Sequence, residues 1–525
     1  MSATIGRGTW IDKLASELVA REEALGRDTS MIRVESGLGA SGVPHIGSLG
    51  DAVRAYGVAL ALRDMGHRSE LVAYSDDMDG LRRVPAGMEG AGLEEQVGRP
   101  VSSIGDPDGC HASYGAHMSS LLLGALDALG IEYEHMSARE AYAAGRFAGQ
   151  AAEILGAAGR IGDHIAGATG QEKFRGALPY WPVCESCGRL YTAVAREHLG
   201  GGRVSYECAG AEIGGRRVDG CGHAGEADAA RGPGTLAWKV EFAARWDALD
   251  VRFEAYGKDI MDSVMVNDWV SENVLGRAPP HHVRYEMFLD RAGGKISKSS
   301  GNVLTPQEWL RYGTPQSLLL LLYKRIAGAR RVGVEDVPQL MDELARLERL
   351  YFGAEDEPNA ERAARLRGLY EYAHLLSPPP ERQERAPYGL LVELARAFRE
   401  DREAIVARRL VEYGTVREPG EALAESIRLA GRYADERAGG GTGGSAAEMG
   451  EGARAALLEV ADALDAGGDA HAAVREASKR HGVQAREVFR AAYLALIGAP
   501  SGPRLGRFVD DIGPSRAAAM IREGA

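Results

Sequence analysis

The sequence predicts an α/β protein: a doubly wound parallel sheet with a cysteine-bearing insert, followed by an all-α C-terminal domain. Three observations point there. Short apolar strands alternate with glycine-rich loops and amphipathic helices in the first third; four of the five cysteines gather between Cys184 and Cys221; and beyond Thr314 apolar residues recur at three- and four-residue spacing. A chain of 525 residues is too long for one core. The expected divisions are 1–135 and 236–334 for the two halves of the sheet domain, 136–235 for the insert, and 335–525 for the helical domain.

The elements follow in order. Thr9 to Leu25 is an acidic amphipathic stretch and has none of the basic-then-apolar order of a secretory signal. Met31 to Glu35 reads as a strand, followed by the glycine-rich SGLGASGVPHIG and a helix from Ser48 to Met65. Leu71 to Tyr74 is the next strand and runs into the acidic turn SDDMDG; a helix from Ser113 to Leu129 leads to the strand Ile131 to His135. Strand, glycine loop, helix and strand at this spacing argue for a parallel sheet that binds its ligand at the carboxyl ends of the strands. After the insert come LAWKVEFAARW, the strand Val251 to Tyr256, a helix from Asp262 to Val274, and the strand-like His282 to Leu289. The helical region carries its pattern at Leu318 to Lys324, Met341 to Tyr351 and Leu390 to Ala407. Ser377 to Pro387 is a proline-rich connection and Gly439 to Gly444 a linker.

Composition narrows the function. With 62 basic against 75 acidic residues and a net charge of −13, the chain is no general polyanion binder, and any nucleic-acid contact must come from local basic patches. The leucine run Leu318 to Leu322 falls far short of the ~20 residues that cross a bilayer. No membrane partner is expected, and a monomer in a reducing, cytoplasmic compartment is. Clustered cysteines in such a compartment bind metal and do not form a disulfide framework.

Three stretches bear chemistry. In ASGVPHIGSLGD, glycines such as Gly42 and Gly47 let backbone approach a ligand, the following helix offers its amino end to negative charge, and His45 can donate to phosphate. Taken alone, this is also an ordinary strand-to-helix connection. GGKISKSSGNVLTP is its partner. Only eight of the 62 basic residues are lysines, yet Lys295 and Lys298 sit three apart among Ser297, Ser299 and Gly301. Two point charges on a donor-rich loop suit a polyphosphate whose charge shifts during reaction. Cys184 and Cys187 form C-x-x-C, and Cys208 with Cys221 completes four thiolates, the donor set of a closed structural zinc site. His223 stands as an alternative ligand, and Cys110 reads as a buried or bystander cysteine.

PHIGS and KISKS resemble the HIGH and KMSKS signatures of class I aminoacyl-tRNA synthetases. ESGLGASGVPHIGSLGD, SDDMDGLRRVP, CESCGRLY, AWKVEFAARW, FEAYGKD and YEMFLDRAGGKISKSSGNVLTPQEWLRYG resemble, in order, the class I lysyl-tRNA synthetases found mainly in archaea, over roughly Trp10 to Val334. The resemblance implies a Rossmann catalytic domain, a zinc-bearing insert and a helical anticodon-binding domain. The activity it implies is ATP- and Mg²⁺-dependent charging of tRNA(Lys) with L-lysine. It implies that His45, Gly47 and Ser48 cradle ATP and that Lys295 and Lys298 stabilise the transferring phosphates. Gly37, Asp76, Asp77 and Asp79 would border the amino-acid pocket, with Trp238 as a wall and Tyr285, Lys258 and Asp259 beside it. Aspartates in such a turn also serve as caps. The sequence departs from the family at Gly39 and Ala40, where serine or threonine and then proline are usual, and at Ile260, where histidine is. A glutamyl- or cysteinyl-tRNA synthetase, or a catalytically silent tRNA-binding paralogue, would share parts of this pattern.

Overall fold

Burial on both faces makes Met31–Leu38 (β1) a central strand: Ile32, Val34, Ser36 and Leu38 are buried on one face and Glu35 on the other. In the computed structural model, which describes residues 5–90, 92–286, 288–294, 296, 304–437 and 450–525, β1 lies at the middle of five parallel strands. Their order is His281–Tyr285, Val251–Gly257, β1, Arg68–Ser75 (β2) and Glu134–Ser137 (β3). In chain order this is 5-4-1-2-3, so the winding reverses between β1 and the Val251–Gly257 strand. A doubly wound sheet opens its ligand crevice at that reversal, beyond the carboxyl ends.

Neighbouring helices follow from sequence. Thr9 and Asp12 form a capping box that starts Trp10–Ala24 (α1). Ile46–Asp64 (α2) is apolar nearly all round and is buried between α1 and the sheet. Tyr114–Leu129 (α3) ends at Gly130, whose φ of +74° closes the helix. The N–H of Ile131 still donates to Leu126 within that closure, so β3 begins at Glu134 and not at Ile131 as the apolar run suggested. The expected strand His282 to Leu289 divides in two. His281–Tyr285 joins the main sheet, whereas Phe288–Leu289 pairs with Arg330–Arg331.

The insert leaves and re-enters through one antiparallel pair, Tyr180–Pro182 with Gly234–Leu236. Beyond it lie the antiparallel strands Ala193–Gly200, Arg203–Cys208 and Ala224–Asp228, and a hairpin of Ala211–Ile213 with Arg216–Val218. Sheet and insert belong to one compact unit, Met1–Pro306 with Leu322–Val332; Gln307–Leu321 with Gly333–Ala525 form a second.

The second unit is helical. Leu390 to Ala407 is not one helix: Tyr388–Ala397 and Arg402–Glu412 are separated where Phe398 leaves helical geometry and Asp401 takes φ +45°. The proline-rich connection is held down, because the N–H of Gln383 and the guanidinium of Arg385 both bond the buried carboxylate of Glu348. Gly439 to Gly444 lies outside the described residues. A second buried carboxylate, Glu393, accepts from Arg396 and from Arg516 at 2.7 Å. Replacing Glu393 with alanine leaves those guanidiniums without their shared anion. It is expected to lower the stability of the full chain by about 2–4 kcal/mol in denaturant unfolding, and Glu393→Gln by less.

Candidate active site and metal clusters

At the sheet reversal, β1 ends and the chain turns back into α2 through His45. The imidazole is the N-cap of α2: its Nδ1 accepts the backbone N–H groups of Gly47 at 3.0 Å and Ser48 at 3.2 Å. Nδ1 is therefore unprotonated, and Nε2 carries the ring hydrogen. Gly47 makes room for the ring, since a Cβ there would lie 2.8 Å from it and would displace it. The N–H of Ile46 donates to the carbonyl of Leu304 at 2.9 Å, which ties this turn to the far flank of the lysine-bearing loop. The near flank is a tight turn in which Asp290 accepts from Gly293 and Gly294, followed by the buried Ile296. Lys295, Ser297 and Lys298 themselves lie outside the described residues.

A cavity of about 260 Å³ opens here. Gly37, His45, Gly47, Ser48, Asp76, Trp238, Asp259 and Tyr285 line it, as does Ile296. Gly42 is buried and is not part of the lining. Gly37 brings backbone close to the floor: a Cβ there would sit 3.4 Å from Asp76 Oδ2 and 3.7 Å from Arg245 Nη2. Lys258 stands outside and pairs with Glu286 at 2.5 Å. Ile260 lines the cavity with Trp238 and Tyr256, and all three pack against the same buried cluster.

The three aspartates of SDDMDG separate. Asp76 faces the cavity and Asp79 accepts from Trp238 Nε1 at 3.1 Å, fixing the indole at the rim. Asp77 points elsewhere. Its carboxylate accepts from Ser137 Oγ at 2.6 Å and from the N–H of Arg139 at 2.9 Å, joining the end of β2 to the Ala138–Ala143 helix.

The floor is a buried charge cluster that the sequence reading missed. Arg245, 1% exposed, lies 2.8 Å from Glu35, 2.9 Å from Asp76 and 3.7 Å from Glu254, with its guanidinium over the rings of Tyr74 and Phe242. Glu241, one turn earlier on the Trp238–Leu249 helix, adds a fourth buried carboxyl. One cation thus serves four acids. Burial pushes Glu35 up to about 8 and Glu241 up to about 7, with Arg245 pulling both back; burial also raises Asp76. No motif spacing reveals this set, because its members come from four different elements.

Beside it, Tyr285 donates to Asp51 and lies under the buried Arg54, 4.3 Å from ring centre to guanidinium carbon. Burial pushes Asp51 up to about 7.

Two clusters could hold a metal. Thiolates bound to a tetrahedral ion at ~2.3 Å lie about 3.75 Å apart. Cys184 and Cys221 are 3.6 Å apart and Cys187 and Cys208 3.7 Å, with all four sulfurs mutually within 4.8 Å. The spacing fits zinc, and His223 is not part of the set. The second cluster corrects the expectation for Cys110, which is exposed and grouped with Asp106, His111 and His117. Its Sγ lies 3.1 Å from His111 Nδ1 and 3.3 Å from His117 Nδ1, and Asp106 Oδ1 is 3.1 Å from His117 Nδ1. The signal was present as Asp-x₃-Cys-His-x₅-His.

No described helix is long and apolar enough to cross a membrane. Comparison with known proteins agrees with the site. Residues 8–375 match the family model described as tRNA synthetases class I (K). The chain is 58% identical to a lysine–tRNA ligase of Cenarchaeum symbiosum (strain A), covering 99% of both chains. It is 33% identical to one of Haloarcula marismortui, covering 96% of this chain and 95% of that one, and 31% identical to one of Roseobacter denitrificans, covering 99% and 97%. With the signature turn, the sheet reversal and these matches in agreement, the chain belongs to the class I lysyl-tRNA synthetase family.

Proposed function

We propose that this chain is a lysine–tRNA ligase, activating L-lysine with ATP and transferring it to the terminal adenosine of tRNA(Lys) in the cytoplasm. The observation that carries the reading is the excess of buried carboxyls around Arg245 on the cavity floor. A lysine side chain supplies what that floor lacks: an ammonium for Asp76 and Glu254, on an aliphatic stem that suits Trp238, Phe242, Tyr256 and Ile260. A glutamate substrate would bring a fifth acid to the same place, and cysteine would leave the carboxyls unanswered.

In the first step a lysine carboxylate oxygen forms a bond to the α-phosphorus of ATP, the bond to the bridging oxygen breaks, and pyrophosphate leaves. No general base is needed, because the carboxylate is already ionised at neutral pH. Positioning and charge stabilisation carry the rate. His45 donates to phosphate through Nε2–H, the tautomer set by its capping role, in which Nδ1 takes up the N–H groups of Gly47 and Ser48. We assign Lys295 and Lys298, with Ser297, to the departing phosphates; the loop's flanks at Ile296 and Leu304, which meet the cavity and the His45 turn, support that assignment. Mg²⁺ bound through the phosphates would neutralise charge on the leaving group. In the second step the 2′-hydroxyl of the terminal adenosine attacks the adenylate carbonyl and AMP departs. Cys184, Cys187, Cys208 and Cys221 would hold a structural Zn²⁺, and Asp106, Cys110, His111 and His117 a second ion of the same kind.

Replacing Lys298 with alanine is expected to slow lysine-dependent ATP–pyrophosphate exchange, run with and without tRNA, by about a hundredfold or more, with lysine affinity within about twofold; equal losses in both would contradict its role. A chain that binds tRNA yet exchanges no pyrophosphate with lysine, glutamate or cysteine would be the silent paralogue.

The unliganded floor carries protons into the neutral range, because burial pushes Glu35 up to about 8 and Glu241 up to about 7 and also raises Asp76. An ammonium favours the ionised carboxylates, so lysine binding is expected to expel protons, and affinity to rise as pH climbs from about 6 to 8. Calorimetry in buffers of differing ionisation enthalpy measures this directly; proton uptake would refute it.

Elemental analysis of the purified chain is expected to find two equivalents of zinc, one per cluster, with Cys187→Ala and His117→Ala each removing one.

A further inference from the structure

The largely buried α2 carries an acid and a base near the cavity, Asp51 and Arg54, three residues apart. They form no hydrogen-bonded pair. Arg54 Nη1 lies 4.0 Å from Asp51 Oδ1, and Arg54 Nε and Nη1 make no hydrogen bond although the residue is 2% exposed. The guanidinium lies over the ring of Tyr285, and Asp51 takes the hydrogen of the Tyr285 hydroxyl. A buried cation without a hydrogen-bonded anion costs stability, which points for its use to the site it borders.

Asp51 and Tyr285 both line the cavity, Asp51 one turn past Ser48 and Tyr285 at the end of the His281–Tyr285 strand. A phenol has one hydrogen, and this one is committed to Asp51. Among the described residues the phenol oxygen accepts no hydrogen bond. Gly257, in register with Tyr285 on the neighbouring strand, keeps the space beside it open: a Cβ there would lie 3.5 Å from the phenol oxygen and 2.9 Å from Asp259 Oδ1. Tyr285 therefore offers the cavity an acceptor and no donor. That direction holds while Asp51 is ionised, since a protonated carboxyl gives its own hydrogen to the phenol oxygen and turns the hydroxyl round as a donor. Burial pushes Asp51 up to about 7, and Asp259 and Glu254 act the same way; the Tyr285 hydroxyl and the Arg54 charge oppose them.

We infer that Arg54 and Asp51 are positioning residues that hold the Tyr285 hydroxyl as an acceptor for the α-ammonium of the lysine substrate. The inference rests on the proposed lysine activation and deepens it. Lysine carries two ammonium groups, and the carboxyls around Arg245 answer the one on the side chain. The α-ammonium sits beside the reacting carboxylate, on the side of the cavity where Gly47, Ser48 and Asp51 lie. A phenol oxygen whose hydrogen is drawn off towards a carboxylate suits that cation.

6-Aminohexanoate is the probe, because it keeps the carboxylate and side-chain ammonium of lysine and lacks the α-ammonium. Both ligands meet the floor alike, so the ratio of their affinities in titration calorimetry of the full chain cancels the floor's own protons. The unmodified chain is expected to prefer lysine by at least about thirtyfold, and Tyr285→Phe, which removes one oxygen, to cut that preference about tenfold. The preference is expected to decline as pH falls through about 7, where Asp51 takes up a proton. In Arg54→Met the decline is expected to begin about one pH unit higher, and Arg54→Lys, which keeps the charge, to return it. The Tm of Arg54→Met is expected to match or exceed that of the unmodified chain. A preference untouched by Tyr285→Phe, or lowered by Arg54→Met equally at every pH from about 6 to 9, would overturn the inference. So would a loss of ATP affinity in either variant with the preference intact, which would give the phenol to the nucleotide. Each of these results, with lysine-dependent pyrophosphate exchange persisting, leaves the ligase reading standing. An unmodified chain that neither binds lysine nor exchanges pyrophosphate with it would remove that reading and this inference together.

Discussion

One guanidinium holds the site together. Arg245 projects from the Trp238–Leu249 helix to Glu35 on β1, Asp76 just after β2 and Glu254 on the neighbouring strand, so it holds three strands against one helix at the point where the sheet reverses. A buried ion pair seldom adds net stability, and breaking one is costly because it leaves an uncompensated charge. Here one cation is shared among several acids, and the deficit faces a cavity. The same arrangement that anchors the sheet therefore prepares a place for one more positive charge, and structural constraint and substrate preference become one feature of the fold.

The phosphate side works by a different economy. His45 is first a helix cap, and its chemistry follows from that: with Nδ1 occupied by two backbone donors, the ring hydrogen sits on Nε2. Gly47 allows the ring to lie against the first turn, and the bond from Ile46 to Leu304 couples the turn to the segment after the lysine loop. Local backbone geometry thus sets the tautomer, and no second side chain is needed to do so.

Much of this was legible in the sequence. Features encoded by local spacing could be read: the alternating strands, the glycine turn with His45 and the four cysteines. Features made by long-range convergence could not. Glu35, Asp76, Arg245 and Glu254 have no common period, and buried charges look like surface ones until the fold joins them. Asp76 and Asp77 are adjacent yet part company, one towards the cavity and the other towards Ser137 and Arg139, because successive residues leave a strand end on opposite sides. The break between Tyr388–Ala397 and Arg402–Glu412 was hidden since Phe398 to Asp401 contains no proline or glycine. Cys110 belongs with its neighbours Asp106, His111 and His117, a pattern that its distance from the other four cysteines obscures.

The central claim is that the cavity floor is short of one positive charge. Titration calorimetry of L-lysine against L-norleucine, which keeps the aliphatic stem and lacks the ammonium, tests it most directly. The account predicts that norleucine binds at least about a hundredfold more weakly, because it buries the stem but leaves the carboxyls unanswered. Comparable affinities for the two would show that the floor does not read charge, and would contradict the account.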